Sequence, residues 1–519
     1  MANPSLQIGN GKWAIKEDNL LGYSKAGTRF VPEPITMTRE SAGTRVNSSG
    51  LVETVELLGS ELVEDSNFPT PNTEWGTTLG WSIADNKASN DGTGGILRQT
   101  NTVPLNTKFK VVFTVADYVT GNIQIKFAPI AQTIVITGDA TYTIYTDGNN
   151  SVNGDLQILA TSSFQGSITN VSVKEVTKNN LARVDYDGTA SSLLVEPMRT
   201  NLIPYSEDFT VGNWAKTRCT VTSNQATSPD GTLNADLMTS TDDDARLGDQ
   251  VGSSGAEFTQ SIYVKSAQVS DVNCQIDFAG LNTVTFTANQ QWQRVETTLT
   301  DTSQSPRLRL RILNSGNSIY VWGGQVEVGS YPTSDISTSG DTVTRVKDQY
   351  SKTGISDLIN STEGVLFVEG KGFDGSDNSF AISLNDGSST NRIFLSWQSP
   401  ENTFRAYSTG GGNVNFTGLD VNSNSKVAVR YSLNNFSLWV DGEKRGEELT
   451  YAGIPADTLN KLSFDRDGAG ELPFYGKVKQ LQVYDTALSD DELTILTGTS
   501  GVHFYPSYAA MASVLTYKI

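Results

Sequence analysis

The sequence predicts an all-β protein that folds as a string of antiparallel β-sandwiches with very little helix. Short stretches alternate apolar and polar residues, as in RLRLRI, where Leu308, Leu310 and Ile312 share one face of a strand. Turn dipeptides such as Asp386-Gly387 separate these stretches at intervals of about ten residues. This spacing is typical of antiparallel sandwiches, and helix signals are nearly absent.

The chain is long enough for several domains. Its 519 residues are too many for a single hydrophobic core, because domains usually hold about 100–200 residues. A boundary phrase recurs as TRVNSSG from Thr44, ARVDYDG from Ala182 and TRVKDQY from Thr344, at intervals of roughly 140 and 160 residues, the size of one sandwich. The predicted units are an N-terminal segment (1–50), a first jelly-roll module (51–178), a second jelly-roll module with a linker (179–340), a sandwich of another type (355–499) and a C-terminal tail (500–519).

A second repeated phrase follows the first two boundaries. RTNLIPYSEDFTVGNW ends at Trp214, and a related form, ELVEDSNFPTPNTEW, ends at Trp75. Both place a phenylalanine a few residues before a tryptophan. We expect Phe209 and Trp214 to fill the end of one core, because large aromatic side chains are mostly buried. Phe68, with Trp75 or Trp81, is expected to do the same in the first module.

One short helix is predicted near the C-terminus. Ser489 and Glu492 have the spacing of a capping box, in which each side chain accepts a hydrogen bond from the other residue's backbone N–H. Leu493 and Leu496 would then face inward, and Gly498 would stop the helix.

The net charge of the chain and its first residues limit the binding partners and the cellular location that we expect. The formal net charge of −19 repels phosphate backbones and anionic lipid heads, so we expect neither nucleic acid nor a membrane surface as a partner. The opening MANPSLQIGNGKW lacks the basic and apolar regions of a signal peptide, which predicts synthesis in a host cytoplasm. Cys219 and Cys274 could lie buried as thiols or form a pair.

The residue inventory gives little support for catalysis. With His503 as the single histidine and two separated cysteines, the chain cannot assemble a zinc site of His and Cys, and no phosphate-binding glycine motif is visible. We therefore predict no cofactor, no metal and no enzyme activity. Polysaccharide depolymerisation stays open as an alternative, because a pair of facing carboxylates cannot be recognised from spacing alone.

The C-terminal part resembles a known type of domain. SLWVDGEKRG (437–446), followed by FYGKVKQLQVYDTALSDDEL (474–493), resembles the hairpin, closing strand and short helix of laminin-G-like, concanavalin-type sandwiches. The resemblance implies a two-sheet sandwich that binds glycans, and such domains often hold calcium. Here Asp465 and Asp467 lack the further oxygen donors of a calcium loop.

Glycan binding predicts exposed aromatic rings beside planar amide and carboxylate groups, which match the hydroxyls of a sugar. In the concanavalin-type stretch, the candidate carbohydrate-binding residues are Trp397, Tyr407, Asp377, Asn378 and Asn402. The alternative interpretation places each of them in the core or in a solvated loop.

The rest of the chain resembles virion proteins of tailed bacteriophages. The resemblance lies in GNGKWAIKEDNLLGYSKAG (9–27) and in ARVDYDGTASSLLVEPMRTNLIPYSEDFTVGNWAK (182–216). It implies a virion location, an N-terminal segment that docks onto other virion proteins, a homotrimer, and a tail or head fibre that binds host surface polysaccharide. The alternative within this family setting is a capsid decoration or adaptor protein that binds only other virion proteins.

Overall fold

Antiparallel strands form nearly all of the regular structure. The computed structural model describes residues 2–498 except 12, 17–18, 27–28, 101, 105–106, 128–129, 137, 147–153, 162, 179, 251–255, 300–306, 374–379 and 400. Within these residues there are 42 strands, one 3-10 turn (Ser356–Leu358) and one α-helix. The predicted all-β class is confirmed.

The N-terminal segment holds six short strands. They are β1 (Leu6–Gly9), β2 (Ile15–Lys16), β3 (Asn19–Ala26), β4 (Arg29–Thr38), β5 (Thr44–Val46) and β6 (Val52–Thr54). β3 and β4 form a hairpin with Leu20 opposite Ile35, and β5 and β6 form a second, smaller hairpin.

The first sandwich has one sheet in the order β15-β12-β17-β10-β9, with β7 paired to β17, and a second in the order β14-β13-β16-β11-β8. Alternate residues of its longest paired strands face inward; Phe109, Val111 and Phe113 are fully buried in a core of their own. Its strands are β7 (Leu57–Glu61), β8 (Gly76–Thr77), β9 (Trp81–Ala84), β10 (Lys87–Asp91), β11 (Gly95–Gln99), β12 (Phe109–Thr120), β13 (Ile123–Phe127), β14 (Ile130–Ile134), β15 (Ala140–Thr146), β16 (Leu156–Ala160) and β17 (Gln165–Lys178).

A connecting hairpin and the second sandwich follow. The hairpin is β18 (Arg183–Asp187) and β19 (Ala190–Val195). The second sandwich stacks the sheets β21-β24-β29-β26-β27 and β22-β23-β30-β25-β28 around a separate core, with β20 and β31 as a small ribbon beside them. Its strands are β20 (Arg199–Asn201), β21 (Ala215–Thr217), β22 (Cys219–Thr227), β23 (Leu233–Ser240), β24 (Ala245–Gln250), β25 (Phe258–Ser266), β26 (Val272–Phe278), β27 (Leu281–Ala288), β28 (Gln293–Leu299), β29 (Arg307–Ile312), β30 (Ser318–Val328) and β31 (Val343–Arg345).

The third sandwich contains the last eleven strands. They are β32 (Gln349–Thr353), β33 (Gly364–Gly372), β34 (Phe380–Asn385), β35 (Arg392–Gln398), β36 (Thr403–Ser408), β37 (Gly412–Thr417), β38 (Ser425–Ser432), β39 (Asn435–Val440), β40 (Glu443–Glu448), β41 (Lys461–Ser463) and β42 (Gly476–Tyr484). One sheet runs β42-β33-β38-β39-β40, and the other runs β32-β41-β34-β35-β36-β37.

The N-terminal strands lie inside this third sandwich. β1 pairs with β42, placing Leu6 opposite Val483, and β4 pairs with β32, placing Met37 opposite Tyr350. Leu6 and Ile8 are fully buried in the core of the third sandwich. Residues 1–50, predicted as a unit of their own, therefore supply strands to a sandwich more than 300 residues away in sequence. Apolar alternation predicts a strand but does not identify its partner.

The two Phe/Trp phrases close the ends of their cores as predicted. The ring centroids of Phe209 and Trp214 are 4.6 Å apart, and those of Phe68 and Trp75 are 5.1 Å apart. Each indole N–H donates to a backbone carbonyl within its own phrase: Trp214 to Tyr205 at 2.9 Å, and Trp75 to Glu64 at 3.2 Å. Trp81 is also buried, and packs against Phe164.

The arginines of the second and third boundary phrases meet where the units join. Arg183 is fully buried and forms ion pairs with Glu196, at 2.6 Å, and with Asp348. Arg345 is 3.1 Å from the same Glu196 carboxylate, and Arg39 is 2.6 Å from Asp348. We call Arg39, Arg183, Glu196, Arg345 and Asp348 the junction cluster. The repeated phrase thus marks a shared buried contact as well as a boundary.

Further hydrogen bonds bring the first boundary phrase to the junction cluster. Arg45 donates from Nη1 to the Val184 carbonyl at 3.2 Å, and Arg183 donates to the Thr44 carbonyl at 3.1 Å. Burial alone would raise the pKa of Glu196, but Arg345 and Arg183 outweigh it and hold that pKa well below its usual range.

The predicted helix is present as α1 (Asp490–Thr497). Ser489 and Glu492 form the capping box, and Leu493 and Leu496 are buried against β33, β38 and β39. Gly498 is its C-cap residue. The helix covers part of the outer face of the sheet that contains β33, β38 and β39. It does not cover the other sheet of this sandwich.

Candidate functional site

Trp397 lies in the core of the third sandwich. It is on β35, its side chain is 0% exposed, and its ring contacts Phe474 at 5.2 Å and Phe404 at 6.3 Å. A sugar cannot reach this ring, so the prediction of Trp397 as a glycan-binding residue is corrected. Trp397 alternates with outward-facing residues along β35, and the sequence pattern could not tell which of the two faces was covered.

The predicted polar residues do not gather around one ring. Asp377 and Asn378 lie outside the described residues. Asn402 is exposed in the turn between β35 and β36, with a φ of 49°, and its Oδ1 accepts a hydrogen bond from the Val421 N–H at 3.4 Å. Asn402 is roughly 16 Å from Tyr407 along the strand direction, because the two residues are five positions apart in sequence.

Tyr407 lies on the outer face of the β35–β36–β37 sheet. The strand register places it opposite Phe394 on one side and Asn413 on the other. Its ring stacks on the Phe394 ring at 5.1 Å and is half-buried, whereas Asn413 is exposed. This is the one predicted aromatic residue that a ligand in solvent can contact.

Two arginines complete this face. The Arg405 guanidinium is 4.9 Å from the centre of the Tyr407 ring, and the Arg392 guanidinium is 5.8 Å from it. Arg405 also donates from Nε to Asn413 Oδ1 at 3.0 Å. We call Arg392, Phe394, Arg405, Tyr407 and Asn413 the arginine–aromatic patch. Phe394 is buried beneath the other side chains, which stand on the surface of the sheet.

The patch carries concentrated positive charge. Burial lowers the pKa of Arg405 below its ordinary value, and the nearby charges of Arg466 and Arg392 lower it further. These guanidinium groups remain protonated at any physiological pH. The like charges of Arg392 and Arg405 lie close together and raise the local affinity for anions.

A loop borders the patch on one side. Ser383, on β34, donates to the carbonyl of Asp465 at 2.7 Å, and Ala381 forms a bridge with Pro473. The loop from 465 to 473 therefore covers the outer face of β34, while Asn413 and Asn415 of β37 are exposed. The outer face of β35–β37 is therefore open to solvent, and the loop from 465 to 473 borders it on one side.

The arginines were missed from the sequence, although a signal for them exists. RIF (392–394) and RAY (405–407) both place an arginine two residues before an aromatic residue, in neighbouring strands. Residues two apart in a strand share a face. Two such pairs in adjacent strands therefore predict one surface that combines aromatic rings with cations.

A separate cleft of about 680 Å³ lies between the first and second sandwiches. Tyr142 lines it from the first sandwich, and the carboxyl groups of Glu207, Asp230 and Asp335 line it from the second. Burial, together with Asp335 and Asp230, raises the pKa of Glu207 to about 8. Burial also raises the pKa of Asp335 to about 6. Asn234 links two of these groups, donating to Glu207 and to Asp230 at 3.1 Å each.

Among the described residues, no group of three or more His, Cys, Asp or Glu side chains could hold a metal ion. The one α-helix seen there is too short and too polar to cross a membrane.

Comparison with known proteins identifies one domain. A family described as the concanavalin A-like lectin/glucanases superfamily matches residues 360–494. This confirms the laminin-G-like, concanavalin-type domain that the sequence suggested, and it places the arginine–aromatic patch inside that domain. No match was found among curated protein sequences.

Several solved structures match parts of the chain at low similarity. The sialidase module CBM40 of Ruminococcus gnavus, bound to α2,3-sialyllactose, is 18% identical, covers 26% of this chain and 83% of its own, and has a TM-score of 0.23. The CBM22 tandem of Paenibacillus barcinonensis Xyn10C is 12% identical, with coverages of 52% and 98% and a TM-score of 0.20. Domain 4 of the arabinanase AbnA of Geobacillus stearothermophilus, in complex with arabinotriose, is 11% identical, with coverages of 33% and 81% and a TM-score of 0.25. At these TM-scores the similarities carry no inference about function.

Proposed function

We propose that the chain is a structural protein of a bacteriophage virion that binds host surface glycans through its third sandwich and does not cleave them. The arginine–aromatic patch is the observation that carries the binding part. It presents the half-buried Tyr407 ring beside the exposed amide of Asn413 and the Arg405 guanidinium. An apolar ring flanked by planar hydrogen-bonding groups matches the face and hydroxyls of a sugar. The description of the matched family, which names lectins, supports the same function.

The virion part of the proposal rests on the resemblance of residues 9–27 and 182–216 to phage proteins. Residues 1–50 would contact other virion proteins, and the chain would form a homotrimer exposed as a tail or head fibre. Because β3 and β4 belong to the third sandwich, this contact would use exposed side chains such as Lys25 and Arg29 on a folded surface. Many copies on one particle would convert weak contacts with single sugars into strong attachment.

Binding of the purified full-length chain to an array of bacterial surface glycans tests the proposal. The wild-type chain should be retained on a subset of glycans, and Tyr407→Ala should reduce that retention by about tenfold, since it removes the ring on which the sugar packs. Tyr320→Ala, a change at a tyrosine of similar burial in the second sandwich, is the control and should bind as wild type. Retention on no glycan would contradict the proposal and favour the decoration or adaptor alternative.

Glycoside hydrolysis is a second candidate, favoured by the cleft between the first two sandwiches. A carboxyl that stays protonated near neutral pH, as Glu207 does, can act as a general acid beside an ionised carboxylate. Incubation of the chain with the glycans that it binds should release no new reducing ends. Release that is abolished in Glu207→Gln would establish hydrolysis and overturn the non-catalytic proposal.

A further inference from the structure

We infer that the arginine–aromatic patch selects acidic glycans, whose sugar rings carry a carboxylate or a sulfate group. This inference rests on the proposed function and specifies the class of glycan that the same face would bind.

The patch arginines lack anionic partners. In the part of the chain that the structure describes, neither Arg392 nor Arg405 forms an ion pair with a carboxylate. The Arg392 guanidinium packs over the rings of Phe394 and Tyr407, so its charge lies beside the ring on which a sugar would pack. A cation without an anionic partner favours binding of an anion beside it.

Carboxylates of the bordering loop have partners other than Arg392 and Arg405. In the bordering loop, Glu471 pairs with Arg466. Asp465 accepts a hydrogen bond from the N–H of Asp467 at 3.1 Å, and Asp467 accepts one from the N–H of Ala469 at 2.9 Å. None of these three loop carboxylates forms an ion pair with Arg392 or Arg405, so the charges of the two arginines are left for a ligand.

The arrangement suits a sugar acid in particular. A ring packed on Tyr407 would bring a carboxylate or sulfate substituent within reach of Arg405, whose planar guanidinium can hold two oxygens of such a group. The chain as a whole carries a formal net charge of −19, which repels anionic polymers. Attraction would therefore be confined to this local group of cations, and binding should weaken as salt concentration rises.

Affinity electrophoresis of the full-length chain with soluble polysaccharides provides the test. The acidic probes are polygalacturonate, which carries carboxylates, and dextran sulfate, which carries sulfates. Their neutral counterparts are carboxyl-reduced polygalacturonate and dextran. We expect binding to at least one acidic probe that is at least about tenfold tighter than binding to its neutral counterpart. The probe that binds distinguishes carboxylate from sulfate.

The variants Arg392→Gln and Arg405→Gln should each weaken binding of the acidic probe by about tenfold. Arg405→Lys, which keeps the charge but loses the planar fork, should weaken it by less. Arg29→Gln removes the same charge from an exposed position on β4 and should bind as wild type. Thermal unfolding of each variant confirms that the sandwich remains folded.

Two results would overturn the inference. One is equal affinity for acidic and neutral probes; the other is unchanged affinity of a folded Arg392→Gln, Arg405→Gln double variant. If neutral glycans are still bound and Tyr407→Ala abolishes that binding, the proposed function stands without this inference. If the wild-type chain binds neither these probes nor any glycan on the array, both fail.

Discussion

At the residue scale, burial decides which aromatic side chains can contact a ligand. Trp397 and Tyr407 both lie on strands of one sheet, yet Trp397 points into the core and Tyr407 points outward. The two should therefore respond oppositely to truncation. Trp397 contributes packing energy, and Tyr407 is expected to contribute the contact with a ligand under the proposed function.

We predict that Trp397→Ala lowers the free energy of unfolding of the third sandwich by about 3–5 kcal/mol, because it leaves a large cavity. Tyr407→Ala should lower it by about 1 kcal/mol or less, since its ring is only half-buried. Urea unfolding monitored by fluorescence measures both. A Trp397→Ala protein as stable as wild type would show that the core described for this sandwich is incorrect.

A second residue-scale prediction concerns the pH dependence of stability. The pKa of Glu207 rises on folding from its ordinary value of 4.5 to about 8, so in this range the folded chain binds a proton that the unfolded chain has released. The free energy of unfolding contributed by Glu207 therefore falls as pH increases from 4.5 to 8.

Glu207→Gln cannot ionise, so its stability relative to wild type should increase by about 4 kcal/mol between the low and the high end of this range. Thermal unfolding at several pH values measures the difference. Glu74→Gln, which removes a charge from an exposed position, is the control. A stability difference that does not change with pH would mean that Glu207 is ionised in the folded state.

At the scale of elements, the three boundary phrases act together through the junction cluster. Asp348 accepts hydrogen bonds from Arg39, Arg183 and the Glu196 N–H, and its side chain is fully buried. Loss of its charge would leave buried arginines without compensation, which is strongly destabilising.

Asp348→Asn should therefore destabilise the chain by about 3–5 kcal/mol. Calorimetry is the suitable measurement, because separately cored units can unfold in separate transitions. The control is Asp117→Asn, which removes the charge of an exposed pair with Lys87 and should change stability little. Equal effects of the two substitutions would contradict the importance of the junction cluster.

The N-terminal strand gives a further prediction at this scale. Ile8 is fully buried in the core of the third sandwich, so Ile8→Ala should destabilise it by about 2–4 kcal/mol, and deletion of residues 2–9 should do so more strongly. Calorimetric transitions of the first two sandwiches should persist. If the deletion leaves every transition unchanged, the strand is a separable arm.

How much could be predicted from the sequence also depends on scale. The capping box at Ser489 and the aromatic pairs Phe209–Trp214 and Phe68–Trp75 depend on residues that are close in sequence. The structure contains all three features as predicted. The pairing of β1 with β42 could not be predicted, because register between distant strands depends on the assembled core. Which face of β35 is covered also depends on the assembled core, so the sequence pattern could not place Trp397 inside it.

At the scale of the whole molecule, three sandwiches with separate cores meet at one buried ionic cluster. The third sandwich is closed by strands from the start of the chain and by the β18–β19 hairpin, which pairs with β42. These connections tie the N-terminal segment, both jelly-roll modules and the concanavalin-type domain together. Such an assembly suits a protein that transmits attachment to a particle while presenting one sheet face to a glycan.

The structure of the full-length chain with an acidic oligosaccharide, such as a short galacturonate, tests the central claim most directly. The account predicts the sugar ring against Tyr407, with its carboxylate between Arg392 and Arg405 and its glycosidic bonds intact. An oligosaccharide bound instead in the cleft beside Glu207, or recovered there as cleavage products, would contradict it.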